Sequence, residues 1–331
     1  MSLELDIPPS WEQSAQQIVQ QHWRKVLVLG AVDRGKSTYC HYLSQQSLAA
    51  GQRVAVIDTD VGQKDLGPPA ALTLGYPVPG QALSAVQPVA WYFIGSTTPS
   101  GHLLPMVVGL RQLVEVARAA CLIINTTGFV HGPGRVLKGF KIETVQPDVI
   151  VALEQGRELR AILHPYRHYR ILRLPPSALA STKTAAQRRA TRARAFGAYF
   201  ANASDVSLAF ARVSVQRSLL LTGRKLHETA YVHAEHTAEG LLAVCAGDER
   251  ALPRGRVLPL GFERSLLCGV ADRRNRGLGL ALLQRLDFRQ ETLTVRTPVR
   301  ADRIRVLQFG SLYLDEQGCE LGTQVPPGVL G

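Results

Sequence analysis

Short apolar runs, each closed by a turn rich in glycine, serine or proline, alternate with longer amphipathic stretches over the first two thirds of the chain. Lys25-Val26-Leu27-Val28-Leu29, Arg53-Val54-Ala55-Val56-Ile57, residues 86–94, residues 121–126, residues 149–153 and residues 169–174 read as strands. Runs this apolar suit strands of a parallel sheet, covered on both faces. Between them, residues 7–23, 38–50, 103–119, 135–145 and 183–200 read as helices. Pro8-Pro9-Ser10 punctuates the first, with Ser10 as its expected N-cap; Gly51 ends the second and Pro147 stops the fourth. The alternation predicts an α/β fold, a doubly wound and mostly parallel sheet. After about Ala230 the pattern changes to short β-like runs at residues 241–244, 257–260, 279–282, 292–295 and 304–307, which predict a smaller β-rich C-terminal domain. The expected organisation is a helical lead-in over 1–24, a main domain over 25–228 and the β-rich domain over 229–331, with a soft border within 222–239.

Composition narrows the class. The 331 residues are 46% hydrophobic and 19% charged, enough to bury a sizeable core. There is no run of 18 apolar residues and no basic stub followed by an apolar stretch, so neither a membrane span nor a signal peptide is expected. Five scattered cysteines without C-x-x-C suit reduced thiols in a cytoplasmic protein. The histidines show no paired-ligand spacing, which argues against a protein-held zinc. Net charge is +12, and its distribution is uneven: residues 157–225 hold 14 Lys and Arg against only Glu158 and Asp205. A segment of one sign favours contact with phosphates.

The decisive chemistry begins after the first strand. Gly30-Ala31-Val32-Asp33-Arg34-Gly35-Lys36-Ser37, followed by Thr38, spells G-x-x-x-x-G-K-S between a strand and a helix. In that setting the glycine loop's amides and the helix N-terminus cradle phosphates, Lys36 reaches the β/γ-phosphates, and Ser37 binds Mg²⁺. The second strand delivers Asp58-Thr59-Asp60-Val61-Gly62-Gln63 at its C-terminal end, where α/β sheets place ligands. In β geometry residues i and i+2 share a side. One carboxylate is then suited to ordering the metal's water shell and the other to accepting a proton from an attacking hydroxyl, although either could simply cap the turn. Arg188 and Arg192, four apart on one helix face, can grip one phosphate group. Arg189 points elsewhere, toward nucleic acid or solvent. His102 and Lys138 follow glycine-rich loops and could reach substrate, though each alone better suits a solvated or structural role.

Taken together, Gly30–Thr38, the D-T-D-V-G-Q string, Gly95-Ser96-Thr97-Thr98-Pro99, Thr126-Thr127-Gly128-Phe129 and the Arg188-Arg189-x-x-Arg192 helix ending in Tyr199-Phe200 resemble the Clp-type polynucleotide 5′-hydroxyl kinases. The five motifs stand in family order over residues 30–200. The resemblance implies transfer of the ATP γ-phosphate to the 5′-hydroxyl end of RNA or DNA, with Mg²⁺, and no obligate protein partner. It implies Asp60 as the group activating the hydroxyl and Asp58 as support for the metal shell through water, an assignment that could be reversed. It implies Gln63 at the metal's water shell or the substrate end, Thr126 and Gly128 clasping the terminal nucleotide, and Arg188 and Arg192 as a lid. Phe129 stands where eukaryotic members often carry Trp, and either stacks on a base or packs inward. The resemblance is to a prokaryotic-type member, expected to lack the large N-terminal domain of the eukaryotic ones. Two other readings remain open on the sequence: a P-loop ATPase switch, and a nucleic-acid-binding ATPase without kinase activity. A GTPase is disfavoured by the lack of N-K-x-D.

Overall fold

A computed structural model describes residues 7–178, 182–226, 230–246 and 255–323. In chain order the elements are α1 (Pro9–Gln20), β1 (Lys25–Gly30), α2 (Lys36–Ala49), β2 (Val54–Thr59), β3 (Ala71–Gly75), β4 (Ala90–Phe93), α3 (Leu103–Val116), β5 (Cys121–Thr126), α4 (Pro133–Val145), β6 (Val149–Leu153), α5 (Arg160–Leu163), β7 (Ile171–Leu174) and α6 (Ala185–Phe200). They are followed by β8 (Ser204–Ala209), β9 (Ser214–Gln216), β10 (Arg224–Lys225), β11 (His233–Thr237), β12 (Gly240–Cys245), β13 (Gly255–Pro259), β14 (Leu266–Ala271), β15 (Gly277–Asp287), β16 (Thr292–Thr297), β17 (Val306–Leu314) and β18 (Glu320–Thr323). The chain divides into two compact units. One comprises Met1–Tyr92 with Thr97–Thr191, the other Phe93–Ser96 with Arg192–Gly331.

In the first unit the strand order is β3-β2-β5-β1-β6-β7. Every neighbour pair in it is parallel except β2 with β3. β1 is therefore flanked on both sides, and Val26 to Leu29 are wholly buried, as an apolar run without polar alternation demands. Helix α1 braces the loop that follows β1. Trp11, Ala15 and Ile18 fall on one helical face and are buried. Trp11 packs edge-on against Tyr39 of α2 with ring centroids 5.2 Å apart, and its indole donates to the Pro175 carbonyl at 2.8 Å. Ser10, the expected cap, lies inside α1; the helix starts one residue earlier because Pro9 occupies its first turn and Pro8 the cap.

β3 was not expected from the sequence. It is a fully buried antiparallel strand whose neighbours are also apolar, so no alternation marks it. Conversely, the run at 86–94 supplies only Ala90–Phe93 as strand, since Val86 follows a 3₁₀ turn and is consumed as core.

The second unit is β-rich. β18-β17-β14-β15-β16-β8 form an antiparallel succession, with β9 parallel on β17. A smaller sheet runs β10-β11-β12-β13. Leu242, Val244 and Leu258 of the small sheet share one core with Leu283, Val295 and Phe309 of the large one. The unit border falls at Thr191/Arg192, inside α6, rather than within 222–239. β8 and β9 are claimed by β16 and β17, a pairing across some ninety residues that no local pattern announces. Residues 1–6, 227–229 and 324–331, which the expected domain bounds include, lie outside the described residues.

Candidate functional site

β1 ends in Gly30, where an added Cβ would lie 2.7 Å from the Leu153 carbonyl of β6, so only glycine lets the loop leave the sheet there. The loop turns through Asp33 at φ 59° and Gly35 at φ 79°, and α2 starts at Lys36. Its first-turn amides face the loop, the arrangement that binds anions. Lys36 is buried, with Nζ donating to the Ala31 carbonyl across the loop at 2.7 Å. Burial pulls its ammonium below the usual lysine range, against the opposing pull of Asp60, Asp33 and Asp58.

The other loop residues act as moorings. Asp33 accepts from the Arg188 guanidinium at 2.5 Å and from the Lys183 amide at 3.1 Å, which fastens the start of α6 to the loop. Arg34 grips Glu158 with two hydrogen bonds of 2.8 Å and holds that carboxyl below the usual range. The residues expected to bind cofactor thus run continuously from the end of β1 (Gly30) through the loop Ala31, Val32, Asp33, Arg34 and Gly35 into the first turn of α2 (Lys36, Ser37 and Thr38); Arg34 itself is spent on Glu158.

Asp58 and Asp60 stand at the end of β2 with different burdens. Asp58 is 2% exposed and accepts from the amides of Asp60, Asp65 and Leu66 and from the Asn125 amide. It is the hub that shapes the loop after β2. Asp60 uses Oδ1 to accept from the Gly62 and Gln63 amides, both at 2.9 Å. It therefore does cap the turn, and this leaves its second oxygen clear of that turn. Gln63 is half-buried, its side chain turned onto the Gly62 carbonyl at 3.3 Å. Gly62 lies against the Thr97 carbonyl, 2.8 Å from where a Cβ would be.

Ser37 is flanked by oxygen groups. The Asn125 amide nitrogen contacts its hydroxyl at 3.2 Å, and the carboxyl of Asp65, a residue no sequence motif singles out, interacts with it. Asp65 is open to solvent yet crowded by protein, and that crowding together with Asp58 pushes its carboxyl upward. Asn125 Oδ1 is buried without a partner. Hydroxyl, carboxylates and an orphaned amide oxygen are the donor chemistry of a hard divalent cation. Among the described residues no three His, Cys, Asp or Glu side chains converge as a complete metal cage.

Three further lysines surround these aspartates. Lys64 Nζ donates to the Asp58 carbonyl at 2.7 Å, and Lys141 Nζ to Thr59 Oγ1 at 2.6 Å. Lys138 Nζ donates to the Thr127 carbonyl at 2.5 Å. Lys138 and Lys141 are wholly buried on the inner face of α4. Burial lowers all three ammonium groups: Lys141 to about 7, Lys138 well down with help from its neighbours Lys141 and Lys36. A basin of buried amines beside carboxylates is prepared for an incoming polyanion. Lys64 and Lys141 carry no motif in the sequence, and Lys138 there is weighed between reaching substrate and a solvated or structural role, with the latter favoured. The available signal was a pair of lysines three apart on a helix after a glycine-rich turn.

The T-x-G-aromatic loop is built into this site by close packing. Thr126 is fully buried and its hydroxyl donates to the Val28 carbonyl at 2.8 Å, which ties β5 to β1 and takes that side chain out of the substrate role implied by the resemblance. Gly128 lies against Val32: an added Cβ would sit 2.6 Å from the Val32 nitrogen. Phe129 is half-buried, and its ring leans on Gly134 in the first turn of α4. Replacing Gly128 with alanine forces the phosphate loop to move, and overpacking of this kind costs about 1–3 kcal/mol. We expect Gly128→Ala to weaken ATP binding at least about tenfold with the chain still folded; an unchanged ATP titration would show that the loop yields freely.

Residues 30–202 match the family described as mRNA cleavage and polyadenylation factor CLP1 P-loop. The polyribonucleotide 5′-hydroxyl-kinase MJ1315 of Methanocaldococcus jannaschii is 32% identical over 321 residues, covering 90% of this chain and 89% of that protein. The chain belongs to the Clp1 P-loop family. A second relative, the polyribonucleotide 5′-hydroxyl-kinase PF0112 of Pyrococcus furiosus, is 31% identical over 342 residues, covering 97% of this chain and 96% of that protein. The fold agrees: the solved Clp1p–Pcf11p complex superposes with a TM-score of 0.59 at 13% identity, over 91% of this chain and 77% of that one.

The remaining predicted residues of this Clp1 P-loop chain lie along α6. Arg188 reaches the phosphate loop through Asp33, within the first unit. Arg192 is held by Glu320 at 2.5 and 2.9 Å, within the second. Arg189 is exposed. His102 occupies the N-cap position of α3 without a side-chain capping bond. Among the described residues no helix is long and apolar enough to cross a membrane. Among the described residues none of the five cysteines is in a disulfide, and burial pushes the Cys121 thiol up to about 11.

Proposed function

We propose that this protein is an ATP-dependent polynucleotide 5′-hydroxyl kinase, transferring the γ-phosphate to the 5′-hydroxyl end of RNA or DNA. The observation that carries the reading is the pairing of a Lys36 phosphate loop with an Asp60 carboxylate that, among the described residues, is anchored through one oxygen only. A nucleotide switch has no need of that second oxygen; a hydroxyl acceptor does, because its proton must leave as the new P–O bond forms. The names of the archaeal relatives, which align over most of this chain, support the same acceptor.

In this reading the loop amides and Lys36 hold the β/γ-phosphates. Asp60 accepts the proton of the 5′-hydroxyl, and Arg188, already moored to the loop, faces the equatorial oxygens. Lys138 and Lys141 fix the two walls of the basin, at Thr127 and Thr59. Ser37, Asp58 and Asp65, with Asn125, fit a Mg²⁺ ion held largely through water and phosphate. The ion, when bound, would neutralise charge on the phosphates. Gln63 and Phe129 border the acceptor end, and a reduced cytoplasmic setting suits the free thiols.

Transfer of labelled γ-phosphate onto matched RNA and DNA oligonucleotides bearing a 5′-hydroxyl tests the proposal. Product with either supports it; ATP binding without product on both overturns it. ATP turnover that is brisk without nucleic acid would favour the switch reading instead. Strand binding should weaken as salt rises, through release of counterions from the phosphates.

A further inference from the structure

Two turns of the β-rich unit carry charge that the phosphate-loop chemistry does not use. The hairpin between β14 and β15, residues 272–276, reads Asp-Arg-Arg-Asn-Arg; the connection before β17, residues 300–305, reads Arg-Ala-Asp-Arg-Ile-Arg. Six arginines thus stand against two aspartates, and the Arg305 amide donates to the Ala271 carbonyl at 2.9 Å, which sets the turns side by side. They enclose an open hollow of about 560 Å³.

Both aspartates are already committed. Asp272 accepts from the Arg274 and Arg276 amides and pairs with the Arg276 guanidinium at 2.7 Å. Asp302 pairs with Arg300 at 2.9 Å. Arg305 is half-buried, and among the described residues its guanidinium donates only to the carbonyls of Asp302 and Ile304, so its charge is positioned but not neutralised. Arg273, Arg274 and Arg303 are exposed and pair with no carboxylate among the described residues. Fork-shaped guanidinium groups around an open hollow match phosphate oxygens.

We propose that this arginine hollow docks internucleotide phosphates of the polynucleotide's phosphodiester backbone. The inference rests on the polynucleotide acceptor argued above and adds a contact that reads charge, not sequence. A protein partner fits less well. The only apolar residues in the two turns are Ala301 and Ile304, and Ile304 is 1% exposed, so the surface lacks the apolar centre of a protein interface. A polar, strongly positive surface is what nucleic acid selects.

The test uses the full chain with Arg273→Ala, Arg274→Ala and Arg303→Ala combined, compared with wild type on a long single strand and on a dinucleotide, each with a 5′-hydroxyl. On the long strand KM should rise about tenfold and the salt slope of binding should fall by about 2–3, one phosphate per lost arginine. Turnover at saturation, the dinucleotide KM and the melting temperature should not move. An unchanged long-strand KM overturns the proposal, and so does an equal rise on both acceptors. Competition by polyglutamate as effective as the strand at equal charge would assign the hollow to an acidic protein and overturn it too. Charge reversal in Arg274→Glu should deepen the long-strand effect alone. If wild type phosphorylates neither acceptor, the kinase reading fails separately; equilibrium binding of the labelled strand to wild type and triple variant still decides the surface.

Discussion

Asp60→Asn is expected to bind ATP almost normally and to lose phosphoryl transfer by about a hundredfold to ten-thousandfold, the range for removing a positioned general base. The substitution is close to ideal for the purpose. Asparagine keeps the Oδ1 that accepts from Gly62 and Gln63, so the turn after β2 retains its shape. What changes is the other oxygen, which becomes an amide that cannot accept the proton, and the loss of one negative charge among the buried lysines. Asp58→Asn is a poorer probe. Asp58 accepts from three backbone amides and the Asn125 side chain, and an amide group there would confront N–H donors with a donor. The measurement is a single-turnover assay at saturating ATP beside an ATP titration. Undiminished transfer in Asp60→Asn would move the proton acceptor to Asp58, Asp65 or solvent. Transfer and ATP affinity falling together would mean that the charge serves the nucleotide and not the hydroxyl.

The site was legible in the sequence wherever its signal is local. The phosphate loop, the carboxylates at the end of β2 and the T-x-G-aromatic turn each need fixed residue types at fixed spacing, and all three come together in the first unit. Charge was legible far less well. The segment 157–225 looks unopposed because neighbours in sequence are counted. In the folded chain Arg173 pairs with Glu154, Arg188 with Asp33, Arg192 with Glu320 and Lys225 with Glu291. Arg217 is spent on the carbonyls of Phe93 and Ile94. The arginines that stay unopposed in 272–305 sit in a stretch whose composition looks mixed. Lys138 and Lys141 escaped for a related reason: lysines three apart on a helix ordinarily mark its wet face. Only the wall opposite, Thr127 on one side and Thr59 on the other, turns that face inward.

Lys141→Met is expected to make the ligand-free protein more stable and the enzyme slower. A wholly buried ammonium is costly to place, and its proton affinity here has fallen to about 7 from an ordinary value of 10.5. Between those two values the unfolded chain holds a proton that the folded chain has released, so the wild type gains stability as pH rises through that window. Below pH 7 the full penalty is present. Methionine, similar in length and apolar, removes it. The melting temperature of the variant should exceed that of wild type by the most at and below pH 7, with the gap closing toward pH 10. Thr59 still donates to the Asn125 carbonyl, so the strand contact survives the exchange. Transfer should meanwhile drop by about tenfold to a hundredfold, because the buried amine that interacts electrostatically with Asp60 and Asp58 is gone. Lys141→Arg, which keeps the charge but not the fit, should lose both stability and rate. A variant less stable than wild type across the whole pH range would make Lys141 a structural strut. One that is more stable and equally fast would leave its burial without a catalytic reason.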